Sequence, residues 1–278
     1  MTGNVLRYGV YLPPFGPFGD PRALVDLAER AEAAGWDGVF LWDHLVHDDL
    51  PVVDSWTTLA AMAQASTSIR IGPMVTPLAR RRPWVVARQA ATLSRLSGGR
   101  LILGTGLGSD ESGDFSRFGE PTDIGTRASR YDEGLEILDA VWSARPYRHS
   151  GEHYQVSLPA GTPISDPIPV WVACSTAHQN VIRRAARQDG IFPNADGRTP
   201  SPEEIAELIS TLHRAGLSPE RLFDVAVAGN ASPAWDEPPK VDVVALAEAG
   251  MTWWMESLIH FDPLELSLKI VDAGPPRP

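Results

Sequence analysis

At 278 residues the chain could form one large domain or two ordinary ones, and 43% hydrophobic with 21% charged residues is the balance of a folded globular protein. A formal charge of -11 argues against nucleic acid and anionic membrane surfaces as partners, because an acidic chain repels phosphate. The single cysteine, Cys174, excludes an intrachain disulfide and a cysteine-built zinc cage. Met1–Leu12 lacks a basic segment followed by an apolar run, and no apolar stretch reaches the ~18 residues that span a bilayer. The expected location is cytoplasmic.

Short β-rich runs alternate with amphipathic helical stretches along the whole chain. Val5–Leu12 reads as a first strand closed by Pro13-Pro14, and Pro21–Trp36 as a helix with apolar residues at Leu24, Leu27, Ala28 and Ala31. Gly38–Trp42 is a second strand, and Asp54 resembles the N-cap of a helix through Ala65. Strand three covers Ile69–Pro77, followed by a helix over Pro83–Leu96 that starts on proline and stops before Gly98-Gly99. Arg100–Gly104 is strand four, with its helix over Arg127–Trp142. Pro169–Cys174 and Gln179–Gln188 form the fifth pair, and Gly190–Pro193 is strand six. Ser201, with Glu204 three residues on, reads as a capping box opening a helix through Ala215. Phe223–Ala228 with Val241–Ala249, then Thr252–Leu258 with Pro263–Val271, complete the series.

Eight such units imply an α/β fold, a (β/α)8 TIM barrel in one domain over residues 1–278, with its active site at the carboxyl ends of the strands. The rival, an open doubly wound sheet, would place a glycine-rich phosphate turn after strand one, where this chain has Pro13-Pro14-Phe15. Two insertions exceed ordinary connections: Ser109–Thr126 after strand four, and Ser143–Ile168 before strand five, the latter with a hairpin over Tyr147–Val156 turning at Ser150-Gly151.

Strand two ends in Trp42-Asp43-His44, where a histidine can serve as acid or base near neutral pH. His47 follows, but strand one offers no histidine to complete a metal site, so no metal is expected. Two prolines in Ile71-Gly-Pro-Met-Val-Thr-Pro77 force the chain out of the ladder near Met74. Gly104-Thr-Gly-Leu-Gly108 clears side chains from the mouth, so that a flat ligand or phosphate can approach, with a simple tight turn as the plainer reading. Ala173-Cys174-Ser175-Thr176 offers hydroxyls and free amides at a helix start, suited to an anion or to ordinary capping. One of Trp253 and Trp254 should face the mouth and the other should face out. Arg80-Arg81-Arg82 reads as a solvated face or a subunit salt-bridge surface.

Taken together, Ala34-Gly-Trp-Asp-Gly-Val-Phe40 with Trp42-Asp-His44, the Ile71–Leu78 block, Ala90–Arg100 leading into Gly104–Gly108, and Tyr131–Leu138 resemble the luciferase-like monooxygenase superfamily over nearly the whole chain. That resemblance implies a flavin or deazaflavin ring lying across the mouth and a peptide at Met74–Val75 that is often cis. It implies cofactor contacts from Met74, Val75, Gly106, Gly108, Ala173, Cys174, Ser175 and Thr176, with Cys174 standing where relatives more often carry a small residue. His44, with Asp43, is the candidate catalytic pair, and Phe15, Trp42, Trp254 and Glu256 are candidates for the substrate side. The leading expectation is a monooxygenase using reduced FMN and oxygen on a small organic substrate. Since no NAD(P)H fingerprint is visible, its FMN would come from a separate reductase. The alternative is hydride transfer with coenzyme F420 and His44 as acid or base, for which the acids after strand four, Asp110 and Glu111, sit slightly displaced. A non-catalytic flavin-binding protein and a metal-dependent hydrolase are further alternatives, and a homodimer is expected from the resemblance.

Overall fold

Side chains alternate along each strand, so a closed parallel sheet has one inward and one outward set. A computed structural model describes residues 5–161, 166–174, 178–193, 198–235 and 241–277. The elements run β1 (Arg7–Leu12), α1 (Pro21–Ala33), β2 (Gly38–Leu41), α2 (Ser55–Ala65), β3 (Arg70–Pro73), β4 (Thr76–Pro77), α3 (Pro83–Leu96), β5 (Leu103–Gly106) and α4 (Ile124–Ser143). They continue with β6 (Tyr147–Ser150), β7 (Gln155–Leu158), β8 (Val170–Cys174), α5 (Gln179–Ala185), β9 (Gly190–Pro193), α6 (Pro202–Arg214), β10 (Asp224–Gly229), α7 (Val243–Glu248), β11 (Trp253–Ser257) and α8 (Leu264–Asp272).

The parallel sheet follows the order β3-β2-β1-β11-β10-β9-β8-β5-β4, and β6 and β7 form the separate hairpin. β3 and β4 are two halves of the third barrel strand, parted at a cis Met74–Val75 peptide where the prolines predicted a break. β3 keeps to β2, while β4 pairs with β5. An isolated parallel bridge between Ile71 and Leu101 closes the ring. The sheet is therefore the expected barrel. Its fourth strand, Leu103–Gly106, starts three residues later and ends two later than predicted, and Leu101 just before it makes the closing bridge.

Caps set the helix starts. Asp54 accepts from the Thr57 amide at 2.7 Å, and Ser201 with Glu204 forms the reciprocal capping box. The inward set, Phe40, Met74, Ile102, Trp171, Phe192, Ala226, Trp253 and Met255, fills the barrel as its own core. Outward residues such as Val10, Val39, Leu103, Val172 and Val227 pack against the helix layer in a larger one. At the amino ends of the strands a cleft of about 300 Å³ is lined by residues including Arg7, Asp189, Asp224 and Thr252. That face ordinarily serves stability. Among the described residues no helix is long and apolar enough to cross a membrane.

Arg100 ties α2, β3 and α3 together on this lower side. It donates to the carbonyls of Ser97, Ile69, Ala63 and Ser66 and to the Ser66 hydroxyl, all at 2.7–2.9 Å, with the side chain buried. Substituting Arg100→Met leaves those carbonyls buried without donors. The expected cost is about 3–5 kcal/mol, seen as a melting midpoint roughly 10 °C lower. An unchanged midpoint in differential scanning calorimetry would contradict this.

Candidate active site

The strand period decides which predicted residues meet at the mouth. Above the core, β5 contributes Gly106, β8 contributes Ala173 and β10 contributes Ala228, all small, beside Val75 at the break in the third strand. A Cβ on Gly106 would lie 3.0 Å from Val75 Cγ2 and 3.4 Å from Ala173 Cβ, so only a bare backbone keeps this side low. One layer down, a Cβ on Gly104 would come within 2.5 Å of the Pro73 carbonyl oxygen. The opposite side is aromatic: Tyr11 lies 5.4 Å from Trp42 and 5.3 Å from Phe192 between ring centroids, and Phe15 lies 5.9 Å from Trp42. Burial raises the Tyr11 phenol above its ordinary pKa, so it stays neutral.

His44 stands on the aromatic side, its imidazole 23% exposed, 6.0 Å from the Trp42 ring and 5.8 Å from Phe15. Its Nδ1 faces Asp114 Oδ2 at 2.5 Å. Asp114 belongs to the insertion after β5. There Asp110 accepts from the amides of Phe115 and Ser116 at 2.7 and 3.0 Å and folds the insertion back over the barrel. Asp114 also accepts from the amides of Leu45 and Val46 at 2.6 and 3.3 Å and from Arg80 at 3.4 Å. Burial alone would raise its pKa, but the hydrogen bonds from His44 and the Leu45 amide outweigh it and hold the carboxyl below its ordinary value. The stability it contributes is therefore complete above the usual carboxylate range and is lost as pH falls through that lowered value.

Asp43 turns the other way. Its carboxylate accepts from Arg81 at 2.7 Å, Thr76 Oγ1 at 2.9 Å and Trp56 Nε1 at 3.3 Å, and Arg80 donates to its main-chain oxygen at 2.7 Å. Asp43 is thus buried and ion-paired with Arg80 and Arg81, and among the described residues its carboxylate makes no hydrogen bond with His44. Arg80 and Arg81, read from sequence as a surface run, are folded inward with side chains 3% and 19% exposed. Two buried carboxylates draw them in, and Arg82 alone of the three is exposed.

Met74 faces the barrel core, and Val75 and Gly106 border the mouth. Gly108 sits higher in the β5 loop at φ 74°, its carbonyl held by Arg127 at 3.0 Å. Cys174 is turned to the helix layer, opposite to Ala173, and burial pushes its thiol up to about 12, which leaves it inert. Ser175 and Thr176 lie outside the described residues. Trp254 and Glu256 are not brought into the group: Trp253 and Met255 take the inward positions of β11, so the other two face out. There Glu256 accepts from the amides of Ala231 and Ser232 and from the indoles of Trp235 and Trp254 at 2.7–3.1 Å, and it anchors the β10 loop. Among the described residues no group of three His, Cys, Asp or Glu side chains is arranged to hold a metal ion.

A closed parallel barrel with a carboxylate-backed histidine at its carboxyl mouth defines an enzyme-type site. The luciferase-like monooxygenase family matches residues 6–266, and the chain belongs to it. An F420-dependent glucose-6-phosphate dehydrogenase of Nakamurella multipartita is 30% identical over 207 residues, 72% of this chain. The chain spans 59% of that enzyme's length. An F420-dependent secondary alcohol dehydrogenase, solved with an F420-acetone adduct, shares the fold at a TM-score of 0.75 and 17% identity, covering 98% of both chains. The oxygenating constituent of 3,6-diketocamphane monooxygenase from Pseudomonas putida, solved with FMN, does so at 0.71 and 16%, over 96% of this chain and 97% of its own.

Replacing Asp43→Asn strips the charge that neutralises two buried arginines. Stability should fall by about 3–5 kcal/mol, checked by urea unfolding. If Asp43 instead took part in proton transfer, the variant would keep its stability and lose turnover.

Proposed function

We propose that the chain is an F420-dependent oxidoreductase that moves hydride between a small organic alcohol or carbonyl compound and the deazaflavin. The observation that carries this reading is the His44–Asp114 pair. A carboxylate below its ordinary pKa at Nδ1 fixes the ring proton there and leaves Nε2 as a lone pair. A base so prepared is what the oxidation of a hydroxyl requires. The sequence alone put the FMN and oxygen chemistry first, because it displays no clear basic groove for the polyglutamate tail of F420 and the nearest acids after strand four, Asp110 and Glu111, sit slightly displaced. Asp114, three residues beyond Glu111, supplies the missing carboxylate. The F420 dependence of a relative at 30% identity supports the same choice.

The mouth fits a flat ring. Gly106, Ala173 and Ala228 leave a low side beside Val75, which a Cβ on Gly106 would obstruct. Val75, Gly106 and Ala173 would hold such a ring, and when bound it would supply two-electron chemistry as the hydride partner of the substrate carbon. His44 takes the hydroxyl proton at Nε2 in the oxidative direction and returns it in the reductive one. Asp114 acts through His44: it orients the imidazole and stabilises its cationic form, without itself being protonated. Phe15, Trp42 and Tyr11 exclude water from the side opposite the low residues.

Titration of the purified protein with F420 and, separately, with FMN is expected to give micromolar binding of F420 only. Tight FMN binding with oxygen consumption would overturn the proposal in favour of the monooxygenase. His44→Ala should retain F420 binding and lose about 10²–10⁴ in kcat. Wild-type turnover in that variant would remove His44 from the chemistry.

A further inference from the structure

A second histidine cluster flanks the mouth and takes no part in the proposed reaction. The β2 loop is pinned to the β1 loop by backbone: Phe15 and Val52 form an antiparallel bridge, and the Val53 amide donates to the Pro14 carbonyl at 3.0 Å. Its tip is a tight turn in which the Leu50 amide donates to the His47 carbonyl at 3.0 Å. From that turn the His47 imidazole stacks on Phe15 at 4.1 Å between centroids and 19° between planes. It reaches two further loops. Nδ1 meets Ser112 Oγ of the β5 insertion at 2.9 Å, and Nε2 meets Nε2 of His260, on the loop after β11, at 3.2 Å. His260 also packs 5.1 Å from the Phe15 ring, so the phenyl group contacts both imidazoles. Gly16 marks how closely the β1 and β11 loops approach, since a Cβ there would lie 3.2 Å from His260 Cβ.

We infer that His47 and His260 form a proton-sensitive clasp that holds the β11 loop closed against the β2 loop beside the mouth and releases it under mildly acidic conditions. Two imidazole nitrogens at 3.2 Å share one hydrogen bond, which needs one N–H and one lone pair. One added proton still leaves a donor facing an acceptor. With a second proton both nitrogens carry hydrogen, the acceptor is gone, and two cations face each other.

The surroundings favour the neutral arrangement. His260 Nδ1 is buried with no hydrogen-bond partner, so a proton placed there finds no acceptor. Burial and then the charge of His47 depress the His260 pKa, while Asp48 from the β2 loop and Asp262 from its own loop pull weakly the other way. From the β5 side the cluster meets the neutral Ser112 hydroxyl, and His44, with its ring 6.1 Å from His47 and backed by Asp114, is a further titratable neighbour. A depressed histidine pKa stabilises the closed form fully above about 6.5, and that stability is lost as pH falls through the lower value. This inference concerns the loops whatever the mouth binds, so it stands or falls apart from the proposed reaction.

Hydrogen–deuterium exchange on the whole protein, without cofactor, tests it. After correction for intrinsic exchange, amides of residues 258–262 should be protected equally at pH 8 and pH 7. Their exchange should rise by on the order of tenfold per pH unit between about pH 6 and 5, the factor expected for uptake of one proton. In His260→Gln the carboxamide can donate to neutral His47 or accept from its cation, so protection of this loop should persist at pH 5. Loss of protection in His260→Gln matching the wild type would overturn the clasp, as would a wild-type loop whose exchange ignores pH over this range.

Discussion

The mouth of this barrel is organised around two buried carboxylates, Asp114, which meets His44, and Asp43, which turns away from it. Charges taken out of water must be paired, and Arg80 and Arg81 supply the pairing from the loop after β4. Arg80 spans both: it donates to the Asp43 main-chain oxygen and to the Asp114 side chain. The carboxyl ends of the second and third strands are thereby fastened to the insertion after the fourth, and His44 is left with one settled orientation. The arginine pair thus does for this rim what Arg100 does for the lower face with neutral carbonyl acceptors.

Residue size around the mouth is as consequential as charge. Three small inward residues, Gly106, Ala173 and Ala228, stand across from Tyr11 and Trp42, and the period of two in each strand produces this asymmetry without any irregular backbone at those positions. The same period sends Trp254, Glu256 and Cys174 to the helix layer. A strand neighbour of a site residue is, for that reason, usually a structural residue.

Much of this was legible in the chain itself. The β/α rhythm, the Asp54 cap, the Ser201–Glu204 capping box and the proline-forced break near Met74 rest on local chemistry, and local chemistry is what a sequence displays. His44 stood out because it ends a strand in a barrel. Asp114 did not, since it lies in an insertion of irregular backbone, and only the folding of Ser109–Thr126 back over the mouth, set by Asp110, reveals which acid reaches the imidazole. The inward turn of Arg80 and Arg81 was hidden for a related reason: three consecutive arginines look solvated until their buried partners are located. The His47–His260 contact joins residues 213 positions apart, and no periodicity announces such a pairing.

The lower half of the barrel bears on traffic. Phe40, Trp171 and Trp253 meet there with centroids 5.4–5.7 Å apart and close the channel beneath Met74 and Ile102. A ligand beside Gly106 would therefore rest on a floor of packed rings, and the carboxyl mouth is the side of the barrel from which that place is reached.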